Sequence, residues 1–155
     1  MTDPSALEGS EAPGPGVSVG RVEDPPPDLW RFLYTEVGRD YHWIDRLSWT
    51  DDEIRAYLAD SGLELWLLKE GEETAGYFEL RTHADEAVEI AYFGLLPRFV
   101  GRGLGKFLLT RAVERAWERG ATRVWLHTSS LDHSSALPNY LARGFSIWKQ
   151  EVYDV

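Results

Sequence analysis

Between Gly101 and Gly105 the chain reads glycine, arginine, glycine, leucine, glycine, and a helical spacing of apolar residues begins directly behind it. A glycine turn feeding a helix N-terminus points several backbone N–H groups and the positive end of the helix dipole at one place, which suits a phosphate. Two nucleotide loops fail on spacing. A P-loop requires glycine, four residues, glycine, lysine and then serine or threonine. Counting back from Gly105 and Lys106 puts Val100 at the first glycine and Phe107 at the hydroxyl that would hold magnesium. A dinucleotide fingerprint requires a small residue where Lys106 stands and an acid about 20 positions later, where "TRVWLH" has none.

Other chemistries are excluded by residue type. The chain has no cysteine, so no thiolate nucleophile, disulfide or sulfur-bound zinc is available. His42, His83, His127 and His133 have no metal-ligand spacing, Asp132 beside His133 makes a poor site, and no metal is predicted. Ser129, Ser130, Ser134 and Ser135 lack the nucleophile elbow of a hydrolase. A net charge of -10 speaks against a nucleic-acid partner.

These residues need a scaffold, and 155 residues suffice for one domain with a sizeable core. Residues 1–16 are rich in Pro, Gly, Ser and Glu and read as a disordered tail, leaving 17–155 as the domain. There is no basic-then-apolar leader and no run of eighteen apolar residues, so a cytoplasmic protein with no membrane partner is expected. Val17 to Val22 alternates like a strand, a helix follows from about Asp28, and Asp51 to Asp60 forms a short capped helix. "LELWLLKEG", "ETAGYFELRTH" and "EAVEIAYFGLL" read as an antiparallel meander. Behind the glycine loop a wide apolar face runs as a helix to Gly120. "TRVWLHT" is a strand, "DHSSALPNYLARG" a helix whose Pro138 should disturb its first turns, and "FSIWKQEVYDV" a final strand. The result is a mixed α/β (α+β) sheet protein.

The strand "EIAYFG", the stretch "LLPRFVGRGLGKFLL" and the helix "ALPNYLARGF" together resemble the acetyl-coenzyme A binding core of the GNAT (Gcn5-related) N-acetyltransferases. That family's loop reads Gln or Arg, two residues, Gly, one residue, Gly or Ala; here Val100 takes the first place and Gly103 and Gly105 the last two. Its helix pattern falls on His133, Ala136, Tyr140, Gly144 and Phe145, with His133 where Asn is usual. The match spans about Glu72 to Phe145.

The resemblance implies a six- to seven-stranded, mostly antiparallel mixed sheet with helices on both faces and splayed fourth and fifth strands. It implies acetyl-coenzyme A as co-substrate and direct transfer of an acetyl group to an amine. The cofactor would be held by Leu95 and Leu96 at the strand exit, by Val100, Gly101, Arg102, Gly103, Leu104, Gly105 and Lys106 around the loop, and by His133, Ala136 and Tyr140. The Leu95 N–H becomes an oxyanion donor, the Tyr140 hydroxyl faces the departing thiolate, and Glu89, sixteen positions before Gly105, becomes the base. Across the ladder from Glu89 stands either Glu79, which would raise its pKa, or Arg81, which would hold it ionised. His127 is a weaker candidate for moving a proton.

For the acceptor the local residues must speak. Residues 1–96 carry 21 acidic and 7 basic side chains, against 5 and 9 in residues 97–155. Tyr41, His42 and Trp43, with Glu36 and Glu79, suit a protonated amine of a small molecule or peptide, cationic in character. A monomer or homodimer is expected. The alternative is a catalytically weak acyl-CoA-binding sensor or interaction module of the same fold, which Val100 and His133 favour.

Overall fold

The computed structural model describes residues 1–41, 43–129, 131–148 and 150. In chain order the elements are β1 (Val17–Val22), α1 (Pro27–Gly38), α2 (Asp51–Leu58), β2 (Leu63–Glu70), β3 (Glu73–Thr82), β4 (Val88–Leu95), α3 (Leu104–Glu118), β5 (Val124–Trp125) and α4 (Ala136–Ala142). The sheet runs β1-β2-β3-β4-β5; the first three pairings are antiparallel and β4–β5 is parallel. Five strands among the described residues are fewer than the six to seven expected. Residues 145–148 carry no strand, and 149 and 151–155 of the expected last strand lie outside the described residues.

Strand alternation sorts the side chains into two cores. Leu68, Phe78 and Leu80 face one way and pack with Leu108, Leu109, Ala112 and Val113 of α3. Leu65, Leu67 and Tyr77 face the other way and meet Trp30, Leu33 and Val37 of α1 and Ile54 of α2. α2 starts where the sequence predicts, because Thr50 and Glu53 form a reciprocal capping box. Under α3, the buried Glu64 accepts two 2.9 Å hydrogen bonds from Arg115 and one of 2.8 Å from Trp66 Nε1, which offsets the cost of removing its charge from water.

One irregularity prepares the site. β3 and β4 pair Glu79 with Tyr92 but Leu80 with Ile90, so Ala91 is an extra residue. Without that bulge, Glu89 and Tyr92 would point to opposite faces; with it, both lie on the α1–α2 face of the sheet.

Residues 1–10, read from composition as part of a disordered tail, run against α3, β5 and α4. Met1 and Val124 exchange two backbone hydrogen bonds of 2.8 and 2.9 Å, Glu8 N–H donates to Arg143 O at 2.9 Å, and Ser10 N–H donates to Thr110 Oγ1 at 2.9 Å. Part of this docking is backbone hydrogen bonding, which leaves no mark on composition, and Met1 and Leu7 pack against the α3-side core. Gly144 makes room for it, since a Cβ there would stand 1.9 Å from Ala6 O.

Candidate active site

β4 and β5 pair only at Val88 with Val124 and Glu89 with Trp125, then part. The space between them is a cavity of about 470 Å³, with Ile90 to Leu95 on one wall and Leu126 to Ser129 on the other. Leu96 N–H donates to Ala75 O at 2.8 Å. Because successive residues of an antiparallel strand point their N–H groups to alternate edges, the Leu95 N–H points away from β3 and into the gap. On that edge of β4 no strand of the described residues pairs at the level of Leu95. Leu95 lines the cavity, whereas the Leu96 side chain packs into the cores.

The glycine loop stands at one end of the gap. Gly101 and Gly103 adopt φ of +88° and +77°, and a Cβ at either would meet nothing, so these glycines serve backbone conformation rather than space. Gly103 caps α3, whose first-turn N–H groups, on Leu104, Gly105 and Lys106, have no partner within the helix. The Leu104 side chain is buried in the core, while Gly101, Arg102, Gly103 and Lys106 are exposed. Val100 and Gly105 line the cavity. Arg98 pairs with Glu73, and Arg102 with Glu70 at 3.3 Å; both guanidinium groups stack on Phe99. The loop is thereby pinned to the ends of β2 and β3, and neither arginine lines the cavity.

α4 and the turn before it close the gap and bring His133, Ala136 and Tyr140 to the cavity. The helix begins at Ala136, so Pro138 lies in its first turn, where a missing N–H breaks no helical bond, and the expected irregularity does not arise. Tyr140 is 7 % exposed, and burial pushes its phenol pKa up, so it keeps its proton. Ser135 N–H donates to His133 Nδ1 at 3.0 Å, which leaves Nε2 as the protonated nitrogen of the neutral ring. Asn139, which sequence reasoning passed over, donates from Nδ2 to Gly105 O at 3.3 Å and ties α4 to the start of α3.

The ladder settles which residue faces Glu89: Arg81 does, and Glu79 pairs with Tyr92. Glu89 lines the cavity, is almost buried, and its Oε1 lies 3.0 Å from His83 Nε2, with His127 Nδ1 3.8 Å from Oε2. The exposed His127 and the half-buried His83 flank the Trp125 ring. His83 was missed because its only sequence signal is its place across the β3–β4 turn from Glu89.

Opposite the loop the walls are aromatic. Tyr34, Tyr41, Trp43, Tyr57 and Tyr92 line this end, with Tyr41 edge-on to His133. Of the other expected acceptor residues, Glu36 is not brought to the cavity and pairs with Arg39 at 2.5 Å. Glu79 lies behind the wall, fully buried, accepting from Trp30 Nε1 at 3.1 Å, and burial raises its pKa to about 7. His42 lies outside the described residues. Among the described residues no group of three or more His, Asp or Glu could hold a metal ion, and no helix is long and apolar enough to cross a membrane.

Residues 29–145 match the acetyltransferase (GNAT) family. The mycothiol acetyltransferase of Corynebacterium efficiens is 33% identical over 90 residues, 58% of this chain and 29% of that protein. The mycothiol acetyltransferase of Nocardia farcinica is 27% identical over 84% of this chain and 46% of its own. The chain thus spans less than half the length of these relatives. Among solved structures, an aminoglycoside acetyltransferase from an uncultured soil metagenomic sample, in complex with sisomicin, superposes with a TM-score of 0.74 at 12% identity, covering 90% of this chain and 95% of that one. The PaiA N-acetyltransferase of Thermoplasma acidophilum, in complex with coenzyme A, gives 0.70 at 15% identity, covering 87% and 92%. At such identities the likeness concerns the fold.

Proposed function

Because the chain belongs to the GNAT acetyltransferase family, we propose that it moves an acetyl group from acetyl-coenzyme A directly to a primary amine of a small molecule or peptide. The observation that carries this reading is the Leu95 N–H, turned toward a gap that has the glycine loop at one end and Glu89 in its wall. The residues fit the cofactor: the first turn of α3 and the Gly101–Gly103 turn offer N–H donors for a pyrophosphate, and the β4–β5 gap offers a slot for a narrow arm. Bound there, acetyl-coenzyme A supplies a thioester activated for acyl transfer.

The protein's own groups then have separate tasks. The Leu95 N–H meets an oxygen that gains negative charge, and one such donor in a dry site is worth roughly 3 to 4 kcal/mol of barrier. An alkyl amine is mostly protonated at neutral pH and has no lone pair until it loses a proton. Glu89 accepts that proton, directly or through a water. His83, hydrogen-bonded to the same carboxylate, and the exposed His127 give the proton a way out to solvent. Tyr140, kept protonated by burial, holds a proton for the departing thiolate.

The absence of cysteine makes the test clean, since released coenzyme A can be followed with a thiol reagent against no protein background. A panel of amino acids, peptides, polyamines and aminoglycosides is expected to contain an acceptor that drives thiol release in wild type and not in Glu89→Gln. Heat stabilisation by acetyl-coenzyme A with no thiol release on any amine would instead identify a binding module.

A further inference from the structure

At the acceptor end of the cavity, Arg46 is held by three aromatic faces. Its guanidinium carbon stands 4.4 Å from the Trp49 ring centre, 4.5 Å from that of Tyr57 and 5.1 Å from that of Tyr92. Its own backbone N–H donates to the Tyr34 hydroxyl at 3.1 Å, which fixes the loop that carries it. Contact through the flat face of a guanidinium leaves its in-plane N–H donors available, with the Tyr57 hydroxyl beside one of them. Arg46 lines the cavity, forms no ion pair among the described residues, and its Nη1 is buried with no hydrogen-bond partner.

Most arginines of residues 1–96 differ from it: Arg21, Arg31, Arg39 and Arg55 all meet carboxylates. The nearby buried carboxyl, Glu79, hydrogen-bonds Trp30 and leaves its Oε2 unpartnered; held at a pKa of about 7, it is only a partial countercharge near neutrality. A permanently charged fork, rigidly stacked, with an unmet donor at a cavity wall, matches one ligand chemistry above others. Planar carboxylates accept two parallel N–H bonds from such a fork.

We infer that Arg46 anchors a carboxylate of the acceptor, so that the amine acetylated in this cavity belongs to an amino acid or similar amino-carboxylic acid. The proposal rests on the acetyl-transfer reading and narrows its substrate class. The carboxylate goes to Arg46, the amine toward Glu89 and the Leu95 N–H, and the body of the acceptor against Tyr34, Trp43 and Tyr92. The excess of acids in residues 1–96 does not oppose this. Glu36, Asp51, Asp52, Glu70 and Glu73 are spent on surface ion pairs, and the acids of residues 1–96 that do line the cavity, Asp45 and Glu89, are matched there by Arg46 and Arg81.

The test compares three molecules that differ at one group: phenylalanine, phenylalaninamide and phenethylamine. Each is titrated against the protein by tryptophan fluorescence, with Trp43 and Trp49 as nearby reporters, and each is offered as an acceptor in the thiol-release assay. Phenylalanine is expected to bind about tenfold or more tighter than the other two, the scale of a bidentate charged contact. In Arg46→Gln that preference should vanish, and Arg46→Lys should restore part of it. Equal or tighter binding of the amide, or a preference that survives in Arg46→Gln, overturns the proposal. So does a uniform loss for all three molecules accompanied by a fallen melting temperature, which would make Arg46 a structural residue. Failure of acetyl-coenzyme A to bind or to release thiol would defeat the acetyl-transfer reading instead, while the fluorescence titration still decides the fate of the carboxylate site.

Discussion

The two ends of the cavity are built by different means. At the loop end the donors are backbone N–H groups, on Leu95 and on the first turn of α3, and the flanking arginines Arg98 and Arg102 are occupied with Glu73 and Glu70. At the proposed acceptor end the groups are side chains: Arg46 among three rings, Glu89 between two histidines, and five aromatic residues in the wall. A backbone site tolerates side-chain change and is specific for a feature that many substrates share, such as a pyrophosphate. A side-chain site depends on what each position carries, and is where one relative differs from another. Val100, apolar where the family has Gln or Arg, is tolerable on the first plan and would be disabling on the second.

The largest expected effect is at Glu89. Glu89→Gln removes the proposed proton acceptor with little change in volume and should lower kcat by roughly 10² to 10⁴-fold. Tyr140→Phe removes only the hydroxyl from a buried ring; a fall in kcat of roughly 10²-fold with an unchanged melting temperature is expected. A fall in stability without a fall in kcat would make Tyr140 a core residue.

Glu79 gives a pH signature behind the acceptor wall. Burial raises its pKa from the ordinary 4.5 to about 7, so the folded state holds this proton more tightly than the unfolded chain. Stability from this group therefore falls as pH rises from about 4.5 to about 7 and is level above, a penalty on the order of 3 kcal/mol. Melting temperatures of Glu79→Gln against pH should lose that slope, and the variant should be the more stable protein at pH 8. The smallest effect belongs to the loop. Gly103→Val forces a β-branched residue into φ +77°, costing about 1 to 2 kcal/mol where no side chain is in the way, and a calorimetric melt reads it directly.

These expectations also mark what the sequence could carry. β1 lies where alternation puts it, α2 starts at its capping box, and the glycine loop opens α3 as its spacing requires. All are local patterns of a few residues. The bulge at Ala91 has no local signature, yet it decides that Glu89 and Tyr92 share a face. The choice between Arg81 and Glu79 opposite Glu89 needed the ladder register, and the His83–Glu89 contact needed the geometry of the turn that joins their strands. Arg46 was hidden for the same reason, since the rings that hold it come from three places in the chain. Glu36 and Glu79 were chosen for charge alone, and tertiary structure spends one on Arg39 and buries the other.

The division between a backbone-built and a side-chain-built end is tested most directly by titrating acetyl-coenzyme A calorimetrically against wild type, Gly103→Val, Glu89→Gln and Arg46→Gln. The account predicts that Gly103→Val weakens binding about tenfold, while the two acceptor-end variants stay within about twofold of wild type. Loss of cofactor binding in Glu89→Gln or Arg46→Gln, with Gly103→Val unaffected, would contradict it.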